Sequence, residues 1–315
     1  MMTARTSTKL SRAGLVHLAV VYIIWSSTYL AIRVAVAEGS GFPPFTMVAG
    51  RMLFASLILL GFAAFRRHRI RPSLNELLVL AVSSTLLWVG GNGLVVWAEQ
   101  HANSGFAALV VATAPIWAAL FDSLLSRKPP ALLLVGSLLF GFCGLSLLMV
   151  PSLLHGGGTE LLSGIALLAA AVSWSLGSVF QARYPLNFVS PVVSGYQHLI
   201  AGFVFVLIAL VCREPAPSPT SSAWIAWAYL IVFGSVIAFT SYINAIRLLP
   251  INIAMTYAYV NPVLALFLGW WLLDERITVW TILGAAMVVA GIFGIFKARF
   301  QQKTGSELPA AGEPG

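Results

Sequence analysis

Apolar positions run through this chain in long unbroken blocks, about as long as a membrane-spanning helix requires (~20 residues). They predict ten spans at 14–34, 44–65, 74–96, 104–125, 130–150, 161–182, 190–211, 223–244, 253–272 and 277–297. Loop chemistry fills the breaks: Gly39 to Pro44, Pro72, Pro129-Pro130, Gly156 to Gly158, Pro185, Pro215 to Pro219 and Pro250. Several connections are short, so adjacent helices should be antiparallel neighbours. The predicted fold is an all-α integral membrane protein.

The pattern is written twice, about 147 residues apart. Ala98 to Pro115 reads AEQHANSGFAALVVATAP, and Ala245 to Pro262 reads AIRLLPINIAMTYAYVNP. Trp25-Ser26 recurs as Trp174-Ser175 with a small shift. The loops of the two copies differ in charge. Arg66 to Arg71 falls opposite Arg213 to Ser218, and Arg127-Lys128 falls opposite Asp274-Glu275. Five spans per copy is an odd number, so the second copy would enter the membrane upside down, an arrangement found mostly in secondary transporters.

Alternate loops sort the cations. One set holds Arg5, Lys9, Arg12, Arg66, Arg67, Arg69, Arg71, Arg127, Lys128, Arg183, Arg247, Lys297, Arg299 and Lys303. The other holds Arg33, Arg213 and Arg276 beside Glu38, Glu99, Glu160, Glu214, Asp274 and Glu275. Positive charge marks the cytoplasmic side, which places both termini inside. The organisation then reads as a cytoplasmic segment 1–13, a first five-helix repeat 14–150, a periplasmic linker 151–160, a second repeat 161–298 and a disordered cytoplasmic tail 299–315. The apolar run after Arg12 has full spanning length and no small-x-small cleavage site follows it, so it reads as an uncleaved first helix.

Composition agrees. The 315 residues are 59% hydrophobic and 9% charged, with mean hydropathy +0.91, so lipid rather than water is the solvent. The net charge of +8 sits in loops and reports topology, not a nucleic-acid face. Cys143 and Cys212 form neither a disulfide framework nor a metal spacing and read as small buried hydrophobes. The five histidines are scattered and no Gly-rich phosphate loop is present. No enzyme chemistry, metal or cofactor is expected.

Polar groups inside apolar spans need an explanation. Arg51 lies about two turns into the second span, and its repeat counterpart is His198, beside Gln197. They either bind an anionic substrate group in a shared cavity, or Arg51 snorkels or pairs with Glu99 while His198 packs. Asn92 sits among Gly90, Gly91 and Gly93, where a ligand or helix can approach the backbone. Tyr257, Tyr259 and Asn261 precede Pro262, and Pro115 gives the matching kink in the fourth span. Trp25, Trp88 and Trp174 lie at mid-span depth and form either an aromatic cavity wall or helix packing. Glu99, Asp122, Pro115 and Pro262 are the candidates for gating or coupling. By default Glu99 is solvated or paired with Arg33, and Asp122 pairs with Arg127 or Lys128. Glycines of the fifth and tenth spans suit close packing and mark both as scaffold.

The chain resembles the EamA-type transporters of the drug/metabolite transporter superfamily, above all their YedA-like branch. The likeness is carried by Tyr22 to Tyr29 (YIIWSSTY), Gly91-Asn92-Gly93, Ala98-Glu99 and Val110 to Thr113. In the second copy it is carried by Ser173 to Val179, Ala258 to Pro262 and Asp274-Glu275-Arg276. It covers residues 14 to 298 and implies two inverted five-helix halves, a central cavity and alternating access. It also implies export of small organic solutes, amino acids or related metabolites, across a bacterial inner membrane. Ser126-Arg127-Lys128 departs from the acidic residue this family often has there. The expected partners are lipid, a small-molecule substrate and a proton as candidate coupling ion; monomer and homodimer both fit. A multidrug or nucleotide-sugar carrier, a membrane-embedded enzyme and a passive channel are the alternatives.

Overall fold

The computed structural model of the chain describes residues 11–127 and 158–306, with scattered helical positions between 132 and 150. Among the described residues the regular structure is helical, with no strand. α1 (Arg12–Val36) starts where the Ser11 hydroxyl accepts from the Gly14 N–H. It ends at a turn in which Gly39 and Gly41 take positive φ. α2 (Pro44–Phe65) and α3 (Leu74–Ser84) follow. α3 runs without interruption into a π-helix, Thr85–Gly93, and then α4 (Leu94–Ala98). α5 (Ser104–Val111) and α6 (Ala114–Leu125) form the fourth span.

The second half begins with α7 (Gly158–Arg183) and α8 (Ser190–Val211). α9 (Ser221–Tyr229), a second π-helix (Leu230–Phe239) and α10 (Thr240–Leu248) make one continuous span. α11 (Ile251–Ala254), α12 (Tyr257–Leu273) and α13 (Val279–Ser306) complete the described residues. Among the described residues, seven stretches are long and apolar enough to cross a membrane, and shorter apolar helices lie at Val260–Leu273 and Val279–Gly291. The fifth expected span and the linker before Gly158 lie largely outside the described residues. α13 continues past the expected span end at 297 to Ser306, through residues that favour helix such as Arg299, Gln301, Gln302 and Lys303. Cys143 and Cys212 are exposed, not buried, in a protein whose outward surface is apolar.

The halves exchange their first helices. α1 packs against α9, α10, α12 and the second π-helix. α7 packs against α4, α5, α6 and the first π-helix. α2 and α8 pack side by side. Glycine allows close approach: a Cβ at Gly93 would lie 2.7 Å from Phe205, and one at Gly177 2.9 Å from Leu86 and Leu87.

Helix starts are also stabilised across the halves. α2 and α5 have no side-chain cap of their own, since Pro43 and Asn103 make no capping bond. Glu214, after α8, accepts from the backbone N–H of Phe45 (2.9 Å) and Thr46 (2.7 Å) and from the Thr46 hydroxyl. Glu275, after α12, accepts from the Ser104 N–H and hydroxyl, both at 2.8 Å, and from the Gly105 N–H at 3.2 Å. Each carboxylate answers the unsatisfied donors and positive dipole end of a helix in the other half.

Candidate functional site

A cavity opens among α1, α2, the first π-helix, α4, α5, α7 and α12. Its polar and aromatic wall is Trp25, Tyr29, Arg51, Trp88, Asn92, Trp174, Tyr257 and Asn261, with Thr28 beside them. The centre of a water-sized sphere has about 60 Å³ to move in, room for several waters. Thr28, Tyr29 and Ile32 lie in the second half of α1 and Arg51 near the start of α2, so the cavity sits toward the end of the bundle where α1 finishes.

Arg51 organises it. The side chain is 2% exposed. Its Nε donates to Ser235 Oγ at 2.9 Å and its Nη1 to Asn92 Oδ1 at 3.4 Å. Ser235 belongs to the second π-helix and Asn92 to the first, so one guanidinium ties the two wide turns together. π-helices are rare and concentrate at functional positions. Gly234 gives the guanidinium room: a Cβ there would stand 3.1 Å from Nη2. The cation also lies 5.5 Å from the Trp88 ring centroid. Arg51 neither snorkels out nor pairs with Glu99. No carboxylate lies within ion-pair distance of it among the described residues.

Below Arg51 the wall is aromatic. Trp25 meets Trp174, Tyr242 and Tyr257 at ring-centroid distances of 5.4, 5.0 and 5.0 Å. Tyr242 is fully buried and bonds Ser178 at 2.6 Å. The cluster fills the bundle toward the end where α1 starts.

The fourth and ninth spans are both broken beside the cavity. α5 stops at Val111 and α6 starts at Ala114; α11 stops at Ala254 and α12 starts at Tyr257. The breaks match bond for bond. Thr113 returns its N–H (3.1 Å) and hydroxyl (2.8 Å) to Val110, and Thr256 does the same to Ile253 at 3.1 and 2.6 Å. The hydroxyl competes with the helical hydrogen bond. Pro115 sits in the first turn of α6, where its missing N–H costs nothing. Pro262 stays inside α12, so the break lies before it and not at it.

Gln197 and His198 do not line this cavity. The Gln197 Nε2 donates to Ser83 Oγ (2.7 Å) and Gln181 Oε1 (2.5 Å). The His198 Nδ1 faces the Ser194 carbonyl at 2.6 Å, which makes Nδ1 the protonated nitrogen. The His198 ring packs 4.5 Å from Trp88. Trp88 thus stands between Arg51 and its repeat counterpart. The side chain of Tyr259 lies outside the described residues. Asp122 pairs with Arg183 at 3.1 Å on an exposed edge.

Glu99 follows α4, just past the span, and is fully buried. Arg33 donates instead to the backbone carbonyls of Glu99 (2.6 Å) and Gln100 (2.7 Å). Both carboxyl oxygens have no hydrogen-bond partner among the described residues. Burial, and then the charge of Glu275, hold this carboxyl well above the usual carboxylate range, partly offset by Arg33.

The sequence did not single out Ser235. Its signal was Gly234-Ser235, a small-polar pair inside an otherwise apolar span.

Compared with known proteins, the chain matches the model of the EamA-like transporter family twice, over residues 12–150 and 161–297. It is 36% identical over 286 residues to the inner membrane transporter YedA of Escherichia coli, covering 90% of each chain. It is 25% identical over 280 residues to the transporter YoaV of Bacillus subtilis, covering 87% of this chain and 93% of that one. One solved crystal structure, 22% identical, superposes with a TM-score of 0.68 over 93% of this chain and 100% of the other, a likeness of fold.

Proposed function

Because the chain belongs to the EamA-like transporter family, matched over both of its halves, we propose that it exports small organic metabolites, amino acids or related compounds, across a bacterial inner membrane. It is a multi-pass membrane transporter, not an enzyme. The proposed mechanism is alternating access, by ten helices in two inverted five-helix repeats with both termini cytoplasmic. Matched breaks, matched π-helices, exchanged first helices and opposed loop charges all support that arrangement.

One observation carries the reading: a buried guanidinium at the wall of a central cavity, fixed by the first and second halves together. A membrane-buried cation without a counter-ion marks a substrate path. Trp25, Trp88, Trp174, Tyr257 and Asn261 would contact the substrate, and movement about the breaks at Thr113 and Thr256 would gate it. Glu99 is the proposed proton carrier, because its buried carboxyl has no hydrogen-bond partner among the described residues.

Reconstitution into liposomes with counterflow of labelled solutes tests this. Transport by the intact protein that is lost in Arg51→Ala and Asn92→Ala supports the site. Full transport in both variants removes it.

A further inference from the structure

The cavity is rich in hydrogen-bond donors, and its free side-chain acceptors are mainly neutral hydroxyl oxygens. A guanidinium carries five N–H groups and no acceptor. Arg51 engages Ser235 and Asn92, and its Nη2 has no acceptor among the described residues. Both cavity amide oxygens have one neighbour already. Asn92 Oδ1 receives Arg51 at 3.4 Å, and Asn261 Oδ1 lies 3.0 Å from the Ser26 hydroxyl, which also donates to the Tyr22 carbonyl at 2.5 Å. Each amide also offers its NH₂ group. The Trp88 indole can only donate, and it finds no acceptor among the described residues. The Thr28 hydroxyl donates to the Trp25 carbonyl at 2.8 Å and can only accept from a ligand, while those of Tyr29 and Tyr257 serve either role.

Electrostatics point the same way. Arg51 is the one charged side chain on the cavity wall among the described residues. A single negative charge on a ligand supplies its missing counter-ion. A cation would add to the charge. A zwitterion's carboxylate would pair with it, yet its ammonium would bring a second positive charge and three more donors into a site that holds no anionic acceptor among the described residues.

Resting on the transporter reading above, the geometry points to an organic monoanion as substrate: a carboxylate of amino-acid size with an apolar body and no free ammonium, of which a 2-oxo acid is the simplest case. Its carboxylate meets Arg51 Nη2 and the Asn92 amide. Its body lies against Trp25, Trp174 and Tyr257.

Three probes share one branched body and differ at one carbon: 4-methyl-2-oxopentanoate, leucine and 3-methylbutylamine. Their affinity is read from the shift in thermal unfolding of the protein in lipid nanodiscs. The oxo acid should bind about tenfold or more tighter than leucine, a difference of about 1.4 kcal/mol, and the amine should give no shift. Arg51→Gln should lose the oxo acid. Asn261→Asp, which adds an acceptor, should shift preference toward leucine and decides the matter if Arg51→Gln fails to fold. Equal or tighter binding of leucine or the amine, or no binding of the oxo acid, overturns the inference. Counterflow separates the two readings. A liposome that moves amines well keeps the transporter and rejects the anion, whereas one that moves no solute rejects the transporter itself.

Discussion

Arg51 and Ser235 are 184 residues apart in sequence and 2.9 Å apart in the fold. The bond fixes the Nε edge of the guanidinium and so aims the remaining N–H groups into the cavity. A hydrogen bond to a charged group contributes about 1.5–3 kcal/mol. Ser235→Ala should therefore raise the transport KM about tenfold with little change in kcat. Arg51→Lys keeps the charge but loses the planar fork, and should do worse. An unchanged KM in Ser235→Ala would show that Asn92 and Trp88 suffice to orient Arg51.

Glu99 predicts a pH dependence with a definite sign. The folded chain holds this proton to higher pH than an unfolded Glu does. The resulting stability is greatest below the ordinary Glu pKa and fades as pH rises through the raised one. Thermal unfolding followed from about pH 5 to about pH 9 should show a falling midpoint, and Glu99→Gln should flatten that slope. If Glu99 carries the coupling proton, the same variant should lose transport driven by a pH gradient while counterflow persists. A parallel slope in the two proteins would assign the pH dependence elsewhere.

The carboxylate caps across the halves should behave as caps. Glu275→Ala strips the start of α5 of its acceptors, and Glu214→Ala does so for α2. Each should lower stability by about 0.5–2 kcal/mol. Because the two carboxylates hold different helices, the double variant should lose about the sum. Chemical unfolding in detergent gives the comparison, and a neutral Glu275→Ala would make its three bonds incidental.

Two glycines offer a matched pair. A methyl at Gly93 would press on Phe205 at 2.7 Å, whereas nothing lies within 4 Å of one at Gly61. Gly93→Ala should cost about 1–3 kcal/mol. Gly61→Ala should be neutral or stabilise α2 by up to about 1 kcal/mol. Equal effects would mean that the first π-helix can shift away from Phe205.

Hydropathy placed the spans well, since 44–65 and 190–211 coincide with α2 and α8. Burial depth picked out Arg51, Asn92, the three tryptophans, Tyr257 and Asn261, because lipid leaves few places for such groups. What a linear pattern could not supply was helix rotation. His198 aligns with Arg51 in the repeat yet packs under Trp88, since its neighbours Ser194 and Phe239 were not given to Arg51. The π-helices were invisible too, because residues that widen a helical turn are not distinguishable from residues that merely weaken it. Ser235 followed them out of view.

The exchange of first helices sets a schedule for biosynthesis. Ser26 of α1 finds Asn261 only after another 235 residues have been made. At about 5–20 residues per second that is roughly 10–50 s. During that interval α1 is already in the bilayer with Trp25, Ser26 and Thr28 lacking their final neighbours. A chain stopped after its first half would hold the helix but lack most of the surface built to receive it. That half is therefore expected to depend on membrane insertion factors or quality control until the ninth span arrives.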